Sequence, residues 1–565
     1  MLNGYAANMI HTHRERLDYP QDASLTDVLL EHNLNNTPHD KPAIIDGLSG
    51  EVVFTYSSFR TGVRQVARHF HYELGIGPGV TVGIFSTNRN YYPVCVHGIL
   101  ATGAVVSALN PAYSPAEIVH ALRLSRPSHL LVEKELLPPL LKSFDLGLDL
   151  PWLPAVHVWD ADHSVSGVCA ALDVEAILRH GSADYQPAKF PPGTAAQRPA
   201  FVCFSSGTSG LVKGVRLSHG NIVANIFQQA QGLQGMFTPA TVMALIVPFF
   251  HILGLAGFSC QYVCQGAPIV AFKRFQMEPL LKAIKLHKVP PIALEFLQNP
   301  LVATGDFSSL QCLANAAAPL SPLQARALSA KLGCVVTSWY GMTEASPSIA
   351  SQREDEATIA GTVGRLLPGI ELRILDEHGH DTDVGVFAIR GPNLMQGYVT
   401  GEVQPGSSTS SAVTPDRFLK TGDIGYIDKD GYLFIVDRAK EMIKVKGHQV
   451  APAELEALLM AHPMVNDAAV CGIYDEQAAS EFPIAYIATT EAGRADPKRL
   501  EAELLVHVHA RVAKYKQLVG GIHILQQIPR NPSGKILRRL LPANLDKKRQ
   551  GAAASFPRPA QAAKL

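Results

Sequence analysis

The sequence predicts an α/β protein in two unequal parts: a large N-terminal α/β region ending in a small β segment, and a small α/β C-terminal region. Three observations predict it. Up to about residue 400, short β-branched or apolar runs alternate with longer amphipathic stretches, the pattern of parallel strands joined by crossover helices. From Thr362 to Tyr398 the pattern changes to short strands punctuated by Gly and Pro. Beyond residue 441 a shorter helix–strand alternation resumes. The 565 residues, at about 150 per domain, allow three to four domain-sized units.

Composition narrows the function classes. Hydrophobic residues make up 47% and charged residues 17%, enough for a buried core and unlike a disordered chain. Lys+Arg and Asp+Glu are both 49, so the chain lacks the basic footprint of a nucleic-acid binder. Eight cysteines are too sparse for a disulfide scaffold. Cys260 and Cys264 have no second ligand pair nearby, so no structural zinc site is expected. The first twenty residues hold no apolar run of leader length, so no secretory leader is expected.

The elements follow in order. Strands are expected at 80–86, 129–133, 200–206, 268–272 and 334–341. No Asp, Glu, Lys or Arg occurs between Arg216 and Lys273, and Val242–Cys260 is mostly apolar and about the length of a membrane span. Pro248, His251, Gly254 and Gly257 interrupt it, so a buried strand, a turn and a core helix are expected instead, with no transmembrane span. Residues 399–415 read as an exposed Ser/Thr/Gly loop, and 425–438 as a hairpin turning at Asp430-Gly431. Then come a helix at Pro452–Met460, strands at Asp467–Ile473 and Ile484–Thr489, and a helix at Pro497–Val512. The expected divisions are 1–437, a hinge at 438–441, 442–542, and a flexible tail at 543–565.

The strongest local motif runs from Ser205 to Gly214, SSGTSGLVKG, between an apolar strand and a helical stretch. Its glycines let the backbone turn sharply and offer N–H groups to an anion, its hydroxyls add donors, and Lys213 adds a mobile charge. That suits a polyphosphate, although the spacing is not that of a Walker A loop and a Ser/Gly run alone is compatible with an ordinary loop. Tyr340-Gly341-Met342-Thr343-Glu344 ends a strand, where α/β ligand sites collect. Glu344 could hold Mg²⁺ or be a solvated loop carboxylate. Asp423, in Thr421-Gly422-Asp423, could accept ribose hydroxyls or cap a turn. Arg438, Lys440, Lys444 and Lys446 could form a functional or a merely solvated basic face, and Lys535 is presented by the turn Pro532-Ser533-Gly534.

Together these pieces resemble the adenylate-forming superfamily, nearest to 4-coumarate–CoA ligase-like and fungal peroxisomal acyl-CoA ligases. The resemblance covers roughly residues 25–542. It rests on SSGTSGLVKGV, VPFFHILGL, AAAPL, YGMTEAS, VGRLLPG, the run from LKTGDIGY to VAPAELE, and NPSGKILRR, in the family's order and spacing. It implies a large adenylate-forming domain followed by a small mobile one. It also implies conversion of a carboxylic acid, ATP and CoA to acyl-CoA, AMP and pyrophosphate.

By that resemblance Ser205, Ser206, Gly207, Thr208, Ser209, Gly210 and Lys213 are the ATP phosphate loop. Ala317 backs the adenine and Tyr340 stacks on it. Thr343 contacts the α-phosphate, Glu344 ligates Mg²⁺, and Asp423 holds the ribose with Arg438 nearby. His251, Ala316, Ser338 and Trp339 border the acyl pocket, and His251 and Thr343 are expected to take part in catalysis with Lys535. Lys440 is the hinge, Lys446 and Gly447 lie along the CoA arm, Gln449 supports the phosphate side, and Lys535 is the catalytic lysine. Ser338-Trp339 replaces the coumarate ligases' Gln-Gly, and Ala316 a Gly, so the pocket is expected to differ from theirs and to suit a fatty or unusual secondary-metabolite acid in a fungus. Ala563-Lys564-Leu565 resembles the peroxisomal address Ser-Lys-Leu, which implies an import receptor as partner. The competing expectations are a stand-alone enzyme loading a carrier protein, luciferase-like oxidation of the adenylate, and a non-catalytic nucleotide- or acyl-binding protein.

Overall fold

The computed structural model of the chain describes residues 9–145, 153–159, 169–206, 212–287, 296, 299–316, 320–399, 412–446, 448–475, 480–530 and 534–544. The expected phosphate-loop residues Gly207, Thr208, Ser209 and Gly210, together with Ala317, Gly447 and the tail tripeptide Ala563-Lys564-Leu565, lie outside them. So does most of the expected 399–415 loop.

The large region is built on an eight-stranded sheet. Its strand order is Gly397–Val399, Val212–Ser218, Pro199–Ser206, Val105–Leu109, Thr81–Phe85, His129–Glu133, Ala155–Trp159 and Cys169–Leu172. From Pro199–Ser206 to Cys169–Leu172 neighbouring strands run parallel, whereas Val212–Ser218 pairs antiparallel with both its neighbours. The central strands are continuous apolar runs because helices cover both faces. The helix Tyr56–Tyr72 starts on a Thr55–Ser58 capping box and packs on Tyr92–Ala101, every residue of which is buried.

Two four-stranded sheets and a five-stranded one complete this region. The strand Val335–Gly341 runs parallel to Cys312–Asn315 and antiparallel to Ser348–Ser351. The five-stranded sheet is antiparallel and ends with Leu419–Ile427 paired to Leu433–Arg438, which is the expected β segment.

The charge-free stretch forms a buried strand, Met243–Leu245, a turn, and a helix at Leu253–Tyr262 wound with five-residue turns. Gly254 lets the turn close: a Cβ there would lie 2.1 Å from the Pro248 carbonyl oxygen. Among the described residues no helix is long and apolar enough to cross a membrane.

Beyond Arg438 the chain turns through Ala439–Met442 into a hairpin, Ile443–Val445 with His448–Val450. The small domain follows, with its own core of Leu455, Leu459, Val470, Ile487 and Leu504. The helix Pro452–Met460 is where the sequence places it. Strands Val465–Asp475 and Ser480–Thr489 run beyond their expected ends because they form one continuous antiparallel ladder. The next helix stops at His509, three residues before the expected Val512, where the chain turns back and the Leu518 N–H donates to His509 Nε2 (3.0 Å).

Candidate active site

The site forms where the ends of three strands meet the small domain. Pro199–Ser206 and Val212–Ser218 put Ser205 opposite Lys213 across an antiparallel pair, so both flank the phosphate-loop segment. Ser205 Oγ donates to Glu344 Oε1 (3.1 Å), and the Tyr398 hydroxyl donates to the same oxygen (3.0 Å). Lys213 Nζ sits 4.6 Å from the centre of the Tyr398 ring, a cation–π contact. One tyrosine therefore holds both the carboxylate and the loop cation. Burial, together with the charge of Glu344, raises the Tyr398 pKa, so the hydroxyl stays protonated and can donate.

Glu344 occupies a tight turn, Thr343–Ala345, that places the partly exposed Thr343 beside it. A buried amide network fixes this turn from below. Gln261 Nε2 donates to the Ser346 carbonyl (2.9 Å) and to Asn225 Oδ1 (2.6 Å). Asn393 Nδ2 donates to the Ala345 carbonyl (2.8 Å), and Asn225 both donates to and accepts from the Ser348 backbone. The residues present fit Mg²⁺: a single carboxylate near a phosphate loop matches an ion that takes one or two carboxylates plus phosphate oxygens and keeps several waters.

A second cluster joins the strand Val335–Gly341 to the β segment. The Tyr340 hydroxyl donates to Asp423 Oδ2 (2.7 Å), and Arg438 Nε pairs with Asp423 Oδ1 (2.8 Å). Asp423 and Arg438 face each other across one strand pair, and the Asp423 amide is held by Thr421 Oγ1 (3.1 Å). The residues expected at base and ribose are thus one hydrogen-bonded unit. Burial and the Asp423 charge push the Tyr340 phenol well above its ordinary value. Burial is the largest influence on Arg438 and opposes its charge, but Asp423, Tyr340, Glu441 and Glu344 together outweigh it and raise its pKa.

Lys535 arrives at this cluster from the small domain. Burial lowers its pKa, as does Arg438, while Glu441 and Asp423 pull it back up. The turn carrying it is anchored by Arg530, which donates to the Gly534 carbonyl (2.5 Å) and forks onto Asp467 (2.9 and 2.7 Å).

Among the residues expected at the acyl pocket, His251 Nδ1 accepts from the Leu253 amide (3.3 Å), leaving Nε2 to carry the proton of the neutral ring. Burial pushes its pKa down to about 4. Trp339 stands edge-on to Phe237 (5.7 Å, 80°), which packs on Tyr262. Its indole Nε1 donates to the Gln352 carbonyl (3.3 Å), which fixes the ring, and the Ser338 amide donates to Gln352 Oε1 (3.0 Å). Ala316 immediately follows the strand paired with Val335–Gly341.

The structure therefore brings together Ser205, Lys213, Glu344, Tyr340, Asp423, Arg438 and Lys535. Lys446 and Gln449 are exposed on the small-domain hairpin, with the Lys446 amide donating to Ser480 Oγ (2.8 Å), and Lys440 is exposed in the linker. Sequence reasoning missed Tyr398 and the amides Asn225, Gln261 and Asn393. A signal existed for two of them, since Asn225 and Gln261 are polar residues inside the charge-free stretch, where a buried amide needs a specific partner.

This fold and these two clusters define a two-domain nucleotide-binding ligase. The sequence profile of the AMP-binding enzyme family matches residues 30–399, that of the AMP-binding enzyme C-terminal domain matches 454–535, and the chain belongs to this family. It is 33% identical to a protein named probable 4-coumarate–CoA ligase 1 of Dictyostelium discoideum, over 91% of this chain and 94% of that one. It is also 33% identical to the phenylacetyl-CoA ligase epaB of Aspergillus niger, over 90% and 95%. Its fold matches ATP-bound MatB from Rhodopseudomonas palustris with a TM-score of 0.79 at 24% identity, over 92% and 98%. The anthranilate CoA ligase AuaEII with anthranoyl-AMP gives 0.79 at 23%, over 95% and 99%. The chain is accordingly an ATP-dependent, AMP-forming acid–thiol ligase.

Tyr398→Phe removes the hydroxyl held by Glu344 but keeps the ring under Lys213. Losing a hydrogen bond to a charged group, worth about 1.5–3 kcal/mol, predicts a roughly tenfold or greater fall in pyrophosphate exchange and a raised Mg²⁺ requirement. Unchanged exchange at limiting Mg²⁺ would refute this role.

Proposed function

We propose that this ligase joins an apolar carboxylic acid of limited length to CoA through an acyl-adenylate, and that it works in the peroxisome. The observation that carries the adenylate step is the arrival of Lys535, from the small domain, beside Asp423, Arg438 and Tyr340 of the large one.

The acid's carboxylate oxygen attacks the α-phosphorus of ATP, the bond to pyrophosphate breaks, and negative charge builds on the phosphoryl oxygens. Lys535 and Thr343 stabilise that charge, and the phosphate loop with Lys213 steadies the departing pyrophosphate. Mg²⁺ held at Glu344 would neutralise part of the polyphosphate charge. Asp423, with Arg438, orients the ribose, while the neutral His251 lets a carboxylate pass without forming an ion pair that would trap it. The thiol sulfur of CoA then attacks the acyl carbonyl and AMP leaves. A lysine filling this space cannot coexist with CoA there, so the small domain turns about Lys440 between steps, bringing the segment at Lys446 and Gly447 toward the CoA arm.

The acid's nature is supported by the pocket wall. Trp339 is locked between Phe237 and the Gln352 carbonyl, so it acts as a rigid apolar floor. Such a floor favours a flat or medium-length apolar body and shortens the pocket, in keeping with arylacetate activation by the relative epaB. The address at Ala563-Lys564-Leu565 supports the compartment through its small–basic–Leu pattern.

Three tests follow. In a mass-spectrometric assay with ATP, Mg²⁺, CoA and a pooled panel of arylacetic, cinnamic-type and fatty acids, wild type forms a thioester and Lys535→Ala forms neither thioester nor acyl-AMP. An acyl-AMP without thioester would put the acceptor on a carrier protein instead. Trp339→Ala extends the accepted chain length, with kcat/KM for longer acids rising about tenfold or more. An unchanged length profile removes Trp339 from the pocket floor. A fluorescent fusion made at the N-terminus co-localises with peroxisomes and becomes diffuse when the last three residues are deleted. Diffuse signal from both refutes the address.

A further inference from the structure

The helix Pro452–Met460 opens the small domain and lacks its own cap. Its N-cap position is Ala451, which has no side-chain acceptor, and Pro452 has no N–H, so the Ala453 amide is the first unsatisfied donor. That amide donates to Asp437 Oδ2 (3.0 Å). Asp437 belongs to the large domain, on the strand Leu433–Arg438, immediately before the arginine that pairs with Asp423. Its other oxygen accepts from the Arg438 amide (2.6 Å). The carboxylate is only 7% exposed, and burial raises its pKa.

The surroundings tie this contact to Lys535. Arg538, three residues past that lysine, bonds Glu441 in the linker, Glu456 on the same helix (2.8 Å) and the Val470 carbonyl (3.0 Å). Its guanidinium attracts Asp437, whereas Glu441 repels it. The capped helix, the linker and the segment after the catalytic turn are therefore joined at one point.

We propose that Asp437 is a positioning residue that holds the small domain in the adenylate-forming orientation by capping its first helix from across the domain boundary. The proposal rests on the ligase reading above. The cap has to break when the small domain turns to admit CoA, so it favours one half-reaction and not the other.

The test uses full-length wild type, Asp437→Ala and Asp437→Asn, and the acid giving the strongest thioester signal. Adenylate formation is followed in a single turnover without CoA, and thioester formation is followed separately from supplied acyl-adenylate plus CoA. An N-cap loss of this kind predicts an adenylation rate about five- to thirtyfold lower in Asp437→Ala, with the thioester step unchanged or faster. Asn accepts the same hydrogen bond, so Asp437→Asn retains most of the adenylation rate.

Equal loss in both steps, no loss in Asp437→Ala, or an Asn variant as impaired as Ala overturns the proposal. Hydrogen exchange of the segment 450–456, read by mass spectrometry with Mg-ATP alone, gives an arm that needs no acid. It should be faster in Asp437→Ala than in wild type and Asp437→Asn, and equal exchange in all three overturns the cap. Were wild type to form neither adenylate nor thioester, the ligase reading would fail while this arm still judged the cap.

Discussion

The site depends on keeping a lysine charged where burial and a neighbouring guanidinium both oppose it. Lys535 loses solvation at the domain contact and lies near Arg438, and both effects lower its pKa. What partly opposes them is a pair of carboxylates that come from different parts of the chain: Glu441 from the linker and Asp423 from the β segment. The arrangement is complete only while the small domain rests on the large one. A buried cation with compensating charges on both sides is costly to assemble and sensitive to geometry. That sensitivity suits the proposed role of Lys535, acting in the adenylation step and withdrawing before the next.

Around this pair the large domain supplies rigidity. The turn bearing Thr343 and Glu344 is short and would wander if left to its own backbone. It is held by Gln261 and Asn225 from two helices and by Asn393 from a loop, all buried. A buried amide network in a low-dielectric interior fixes position more specifically than apolar packing, because each lost partner leaves an unsatisfied polar group behind. The wide-turned helix Leu253–Tyr262 matters here chiefly because it delivers Gln261 to that turn.

Much of this was legible in the sequence. The alternation of apolar runs marked the strands Thr81–Phe85 and His129–Glu133 because parallel strands buried on both faces leave little room for polar residues. Ser205, Lys213, Tyr340, Glu344, Asp423, Arg438 and Lys535 were identifiable because they sit in short runs at turns, where ligand chemistry concentrates. Tyr398 was not: it lies alone on an edge strand, and only the antiparallel pairing of Gly214 with Val399 brings it to Lys213. Asp437 escaped for a related reason. In the sequence it is one more charge beside Arg438, and its task emerges only when a helix with no cap of its own is packed against it.

On the proposed mechanism, a domain that serves two half-reactions cannot be held too firmly in either orientation. Shifting a two-state equilibrium from one extreme to the other takes about 5.5 kcal/mol of differential interaction. Contacts that each contribute about 1 kcal/mol, such as a single helix cap, can therefore bias the orientation without fixing it. The boundary described here has that character: one capping hydrogen bond from Asp437, a lysine whose pKa is lowered by burial and by Arg438, and a guanidinium, Arg538, anchored mainly within the linker and the small domain. Replacing them with a large apolar interface would add stability and remove the turnover it was meant to support. The weakness of this contact is, on that argument, a requirement of the chemistry.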